Sequence, residues 1–188
     1  MKKLLSIVIL FTFFNFSCKK LDHNSDQVNG DAISAVSNAK SREMMKNSYA
    51  LLNSEEKLAM WSQHFDTFVS ENELTEDQLN FISDFKQQWL QIELFDQKGD
   101  LFDNFTSQIS SIKENAIKIL GVDYAYTLLF DLNMEGKAAP PANDNDCHCS
   151  KTDSYCNVGS CEANGCKQSS WGCGTLWMFS CGGVCKFI

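Results

Sequence analysis

Residues 147–188 read "CHCSKTDSYCNVGSCEANGCKQSSWGCGTLWMFSCGGVCKFI" and hold eight of the nine cysteines of the chain. An even number of cysteines at this density is typical of a disulfide framework formed in an oxidising compartment. A domain of this size cannot bury enough apolar surface to be stable alone, and four bridges worth roughly 2 to 4 kcal/mol each could supply the deficit. The cysteines predicted to pair are Cys147, Cys149, Cys156, Cys161, Cys166, Cys173, Cys181 and Cys185.

The pairing itself is left open by the spacing, because eight cysteines can be connected in 105 ways. One restriction follows from proximity. Cys147 and Cys149 flank only His148, so we expect each of them to bond a distant partner rather than its neighbour.

Other uses of clustered cysteines are less well supported. The tail has no C-x-x-C pair and a single histidine, which disfavours a zinc site. Its eight serines and threonines would suit a thioether peptide, but that modification is cytoplasmic and conflicts with export. A catalytic cysteine needs a lowered pKa and a positioned base, and no common catalytic or nucleotide-binding motif occurs. We therefore predict no catalytic residue, no metal, no cofactor and no enzyme activity.

The first twenty residues, "MKKLLSIVILFTFFNFSCKK", predict export. Two lysines precede an apolar run over residues 4–14, which is shorter than the roughly 20 residues that a bilayer-spanning helix needs. Residues 1–17 are therefore interpreted as a signal peptide. Cys18 follows a small residue, as in the lipobox of bacterial lipoproteins, although Asn15 departs from that pattern. We predict lipidation of Cys18, with a cysteine in a discarded signal peptide as the alternative.

Residues 31–133 are free of cysteine, and their apolar residues recur at helical spacing. They predict an all-α body of antiparallel helices that follows a polar tether, residues 18–30, and precedes the small disulfide-rich C-terminal domain. The helices are expected over residues 31–52, from Asn53 or Ser54 onward, from Thr75 through the stretch that ends at Phe95, over 101–120 and over 124–132. We interpret the aromatic residues of this body as core rather than as a ligand groove.

Local signals define several of these helix ends. Asn53 or Ser54 can cap the second helix, and Thr75 with Gln78 has the spacing of a capping box. Gly121 is expected to end the fourth helix. The third helix is predicted to bury one face, composed of Leu79, Ile82, Phe85, Trp89 and Ile92.

The charge distribution separates the two parts of the chain. Residues 1–146 carry a net charge of -9, whereas residues 147–188 carry +1. Residues 134–146 hold both prolines, so we predict an exposed, protease-accessible linker there. No basic cluster is present to bind nucleic acid.

Three short motifs in residues 147–188 give the tail a family resemblance. They are C-x-C-S at Cys147, D-x-Y-C at Asp153, and G-C-G-T-x-W from Gly172, which is followed by a cysteine. With them the tail resembles the fulvocin C-related bacteriocins. It departs from that pattern at Leu176 and in the wider spacing of its last two cysteines.

The resemblance implies an exported precursor of a disulfide-stapled antibacterial peptide, with the target a bacterial envelope or an unknown surface receptor. The alternative is an uncleaved surface lipoprotein with a helical spacer and a recognition head. Either would be an exported protein anchored at the outer or cell-surface membrane, and secretion of the tail is left open. The aromatic residues crowded near the C-terminus could contact the target or fill the small domain. The candidate contacts are Trp171, Trp177, Phe179 and Phe187.

Overall fold

The computed structural model describes residues 29–132, 147–156, 159–163 and 165–186. Within these ranges, seven α-helices precede a tail of short β-strands, which confirms the predicted order of a helical body and a small disulfide-rich C-terminal region. The helices are α1 (Gly30–Ser37), α2 (Arg42–Ala50), α3 (Ser54–Glu71), α4 (Glu76–Trp89), α5 (Ile92–Phe95), α6 (Asp100–Leu120) and α7 (Val122–Leu129). The strands are β1 (Ser160–Glu162), β2 (Ser169–Cys173), β3 (Phe179–Cys181) and β4 (Val184–Lys186), with a 3-10 turn at Thr175–Trp177.

Two helix starts follow the predicted capping residues. The side chain of Asn53 accepts a hydrogen bond from the backbone N–H of Glu56, and the Glu56 carboxylate accepts one from the Asn53 N–H, both at 2.9 Å. Thr75 and Gln78 form the same reciprocal pair at the start of α4. These local pairs satisfy backbone donors that the first helical turn leaves without partners.

The single helix predicted over residues 31–52 is wrong, because two helices occupy this segment. The backbone leaves the helix after Ser37, and Ser41 adopts an extended conformation in which its hydroxyl accepts from the Met44 N–H. Ser41 therefore begins a new helix instead of continuing the old one. Residues 38–41 therefore separate α1 from α2.

Other predicted boundaries also change. The third helix ends at Trp89, so Ile92 belongs to the separate helix α5, and Leu79 is 41 % exposed rather than on the buried face. Gly121 ends α6 as predicted, with a φ of +83°, and α7 begins immediately after it at Val122 and ends at Leu129.

The tail consists of two small antiparallel sheets. Strand β1 pairs with β4, which places Cys161 opposite Cys185, and β2 pairs with β3 through a register irregularity. An isolated bridge joins Cys149 to Gly183. Strands of three to five residues are marginal in isolation, so the disulfides and the contacts with the helices fix this region.

Body and tail contribute to one hydrophobic cluster. The buried residues of the helices include Trp61, Phe65 and Phe105, and the same cluster contains residues 176–178 of the tail. A second, smaller cluster contains only cysteines of the tail. Most of the apolar burial of the tail therefore depends on the helices. Among the described residues, no helix has the length and apolar character needed to cross a membrane.

Candidate functional site

All eight tail cysteines form disulfides. The pairs are Cys147–Cys166, Cys149–Cys161, Cys156–Cys185 and Cys173–Cys181. Cys147 and Cys149 thus bond distant partners, as expected. The sulfur atoms of Cys149, Cys156 and Cys185 lie within 4.8 Å of one another because two bridges are adjacent. Since each sulfur is already in a disulfide, the group offers no thiolate to a metal ion.

The disulfide Cys173–Cys181 closes a short hairpin that we call the 174–180 loop. Its backbone is unusual, because Leu176 and Trp177 have φ values of +53° and +55°. This left-handed conformation costs a non-glycine residue roughly 1 to 2 kcal/mol. The loop projects its tip into the helical body, and Leu176, Trp177 and Met178 are 0 %, 2 % and 3 % exposed.

The body pairs with the Trp177 indole N–H and with the carbonyls of Leu176 and Met178. The buried Thr175 hydroxyl, at the base of the loop, has no hydrogen-bond partner among the described residues. The Trp177 indole N–H donates to the carbonyl of Phe130 at 2.9 Å. The Tyr49 hydroxyl donates to the Leu176 carbonyl at 3.2 Å and accepts from the Trp61 indole N–H at 3.0 Å. Burial raises the pKa of Tyr49 above its usual range, so the hydroxyl keeps its proton and remains a donor.

Three lysines of the acidic body face the tail. Lys46 donates to the Cys147 carbonyl at 3.1 Å and lies 3.2 Å from the sulfur of Cys181. Lys57 places its ammonium group 3.9 Å from the centre of the Trp171 ring, a favourable cation–π distance. The third, Lys113, is described with its acidic partner below.

The ion pair between Lys113 and Asp153 has a fully buried carboxylate and a lysine side chain that is 16 % exposed. The nitrogen–oxygen distance is 2.6 Å, and the second carboxylate oxygen of Asp153 accepts from the Thr175 N–H at 2.6 Å. The Ser150 hydroxyl accepts from the backbone N–H groups of residues 152 and 153 and so fixes the approach of the carboxylate. Asp153 therefore connects α6 to the base of the 174–180 loop.

The three motifs that carry the family resemblance meet at this contact. Tyr155 of D-x-Y-C stacks on Phe130 with ring centres 4.4 Å apart, and its hydroxyl donates to the Val122 carbonyl at 3.1 Å. Ser150 of C-x-C-S orients Asp153, and G-C-G-T-x-W supplies Trp177. The structure places them where the tail contacts the helices.

The candidate target contacts have different environments. Trp177 is buried in the body, so it can reach a target only if the tail leaves the helices. Trp171 and Phe179 are half-buried and pack against the shared core. Phe187 and the predicted lipidation site Cys18 lie outside the described residues, as do the signal peptide and residues 133–146.

The side chains of the body that contact the tail were not predicted from the sequence. Tyr49, Phe130 and Lys113 lie on different helices or at their ends and are separated from their tail partners by 25 to 127 residues. The pattern D-x-Y-C is the signal in the tail that points to such a contact, because its Asp153 and Tyr155 pair with the helices. Comparisons with known protein families, curated proteins and solved structures find no match for this chain.

Proposed function

We propose that this protein is an exported precursor of a disulfide-stapled, bacteriocin-like antibacterial peptide that acts at the envelope of competing bacteria. The helical body masks the peptide until the two are separated. The observation that carries the proposal is the burial of Leu176, Trp177 and Met178 in the body. Removal of the body would expose a contiguous apolar tip, a feature that marks interaction sites in soluble proteins.

The composition of the tip suits an envelope surface. A tryptophan has a large apolar ring and one polar N–H, a combination enriched at membrane interfaces. Trp171 and Phe179 pack against the same core and would be uncovered with the tip. The disulfide Cys173–Cys181 keeps the hairpin closed, so the tip would stay presented in the absence of the body. The net charge of +1 favours apolar insertion over attraction to anionic lipid.

Export and anchoring complete the proposal. Four disulfides suit an oxidising compartment, and the N-terminal signal would deliver the chain there. Lipidation of Cys18 would hold the precursor at the outer or cell surface, and cleavage between residues 137 and 146 would separate the body from the peptide.

The test compares the intact protein with its own tail. The linker of residues 134–146, called the connector from here on, is cut, and the tail is separated in denaturant with its disulfides intact. Growth inhibition of a panel of bacteria by the tail and by the intact protein is then measured. We expect inhibition by the free tail, at least about tenfold less by the intact protein, and loss of inhibition in Trp177→Ala. Ser170→Ala, an exposed position in β2, is the matched control. A fully oxidised tail that inhibits no strain in the panel would refute the proposal.

The second candidate is an uncleaved surface lipoprotein with a recognition head. The shared hydrophobic cluster favours it, because a single core is what one permanent folding unit requires. The two candidates differ in the exported material. A mass spectrum that shows only the full-length mature chain with a lipid at Cys18, together with an inactive tail, would favour the lipoprotein.

A further inference from the structure

We infer that the helical body is a binding site for the severed tail, so that cleavage of the connector produces a non-covalent two-chain complex and release needs a separate event. This inference rests on the proposed function, since it concerns the fate of the cleaved precursor. The ligand is residues 147–188 of this chain. The receiving surface is formed by α2, α3, α6 and the segment from α7 to Leu132, and we call it the seat.

The residues on either side of the connector, Leu132 and Cys147, are held in place by contacts that do not involve the connector. Leu132 is completely buried in the shared cluster. Cys147 is bonded to Cys166, donates its N–H to the Lys167 carbonyl at 3.2 Å, and accepts from Lys46. Every contact described above between the seat and the tail involves residues outside 133–146. A cut in the connector therefore removes none of them.

The seat matches the 174–180 loop in shape and in hydrogen bonding. Two hydrogen bonds cross the contact. The Trp177 indole N–H of the tail donates to the Phe130 carbonyl of the body, and the Tyr49 hydroxyl of the body donates to the Leu176 carbonyl of the tail. Gln97 adds a hydrogen bond to the Met178 carbonyl. A buried tip with its polar groups paired loses those pairs when it leaves, which favours the bound state.

The fit continues at the edge of the contact. Between α2 and the tail, a cavity of about 30 Å³ is lined by residues that include Glu43, Lys46 and Lys167. It has room for roughly one water molecule. At this edge, α2 and the tail therefore leave only a small space between them.

Ion pairs favour one orientation of the tail on the seat. Lys113 of the seat meets the fully buried carboxylate of Asp153, and Glu43 at the rim pairs with Lys167 of the tail. Such complementary pairs favour one orientation of the partner over others. The buried pair contributes most, because an exposed pair is screened by water and salt.

No disulfide crosses the seam, because all eight tail cysteines pair with one another. The complex is therefore held by non-covalent contacts alone after cleavage. The intact connector confers an effective concentration on the order of millimolar. Once it is cut, the affinity of the seat decides whether the tail stays, and we expect a dissociation constant below about 1 μM, as for a well-packed interface.

The experiment uses the whole protein with a specific protease site inserted in the connector between residues 137 and 146. After complete cleavage, a non-reducing denaturing gel should show two fragments. Size-exclusion chromatography of the same native sample, loaded at about 50 μM so that the concentration stays well above a dissociation constant of about 1 μM, should show one peak that contains both. Separate peaks under these conditions, with the disulfides intact, would overturn the inference.

Matched variants test whether the described contacts hold the tail. Lys113→Met removes the partner of buried Asp153, whereas Lys86→Met removes the exposed ion pair with Asp66 inside the body. The first should raise the dissociation constant of the cleaved complex at least about 30-fold, and the second less than about threefold. Equal dissociation constants would contradict the role assigned to the seat. Exchange of a labelled free tail into the cleaved complex gives the same constants in a second way.

The outcome is separable from that of the proposed function. If the cleaved complex persists but the purified tail kills nothing, the seat is real and the antibacterial proposal fails. If the purified tail inhibits growth and the fragments separate on cleavage alone, the function stands and the inference fails.

Discussion

Tyr49→Phe tests whether the tail and body are joined as one folding unit. Tyr49 is completely buried, and its hydroxyl is hydrogen-bonded on both sides, to the Leu176 carbonyl at 3.2 Å and from the Trp61 N–H at 3.0 Å. Phenylalanine keeps the ring and its edge-to-face contact with Trp177, whose centre lies 5.5 Å away. Only the bridging oxygen is removed, so the change isolates the polar link between α2, α3 and the tail.

The expected cost follows from the two groups left without a partner. A buried donor or acceptor that loses its hydrogen bond costs about 1 to 3 kcal/mol, and retained packing favours the lower part of that range. The Trp61 N–H and the Leu176 carbonyl together should lower the free energy of unfolding by about 2 to 4 kcal/mol. With a urea m-value of about 2 kcal/mol/M, the midpoint should fall by about 1 to 2 M.

The assay is urea unfolding of the oxidised protein, followed by tryptophan fluorescence and far-ultraviolet circular dichroism. We expect one coincident transition, because body and tail share a core. Tyr126→Phe is the control, since the Tyr126 hydroxyl has no hydrogen-bond partner among the described residues, and its midpoint should move by less than about 0.3 M. A Tyr49→Phe midpoint equal to that of the parent, or two separate transitions in the parent, would refute the reasoning.

Two further predictions concern the lysines that face the tail. Gly172 has a φ of +95°, and an added Cβ would lie 2.5 Å from Cγ of buried Lys46. Gly172→Ala should therefore cost about 2 to 4 kcal/mol in urea unfolding. Gly182→Ala, where the space is open, should stay within about 0.5 kcal/mol; equal losses would contradict the packing. Burial lowers the pKa of Lys57 below its ordinary value of 10.5, and the nearby Glu56 carboxylate opposes part of this effect. Between the lowered pKa and 10.5, Lys57 is therefore protonated more in the unfolded chain than in the folded protein. Stability should rise with pH in this window, and Lys57→Met should flatten the rise measured by urea unfolding; an unchanged slope would count against it.

The helix starts could be predicted because their causes are local. Asn53 and Thr75 cap helices through partners three residues away, and both the residue types and their spacing are visible in the sequence. Gly121 is equally local, since a left-handed residue ends a helix wherever it occurs. The break before Ser41 was missed because residues 38–41 contain neither glycine nor proline, and the apolar spacing runs through them.

The seat could not be predicted, because its members have no sequence pattern in common. Lys46 and Lys113 resemble any solvated lysine on a helix, and their hydrogen-bond partners lie in a tail about 100 and 40 residues further along the chain. The connectivity of the cysteines has the same limit. Spacing disfavours a bond between Cys147 and Cys149, but it does not determine which distant cysteines pair. The folded tail brings those distant cysteines next to each other.

The strain in the 174–180 loop connects the fold to the proposed release. Leu176 and Trp177 hold left-handed backbone conformations that are unfavourable by themselves, and in the intact protein the burial of both side chains in the body offsets that cost. On the proposed function, the severed tail loses this compensation when it leaves the seat. The disulfide Cys173–Cys181 still restricts the hairpin, and the tail's own cluster contains only cysteines. The tail therefore offers no apolar core of its own in which the tip could be buried. The tip must then remain in water or find another apolar surface, and hydrophobic burial favours the second outcome. On that proposal, the apolar tip that the body covers in the precursor would also supply the driving force for the released peptide to bind an envelope.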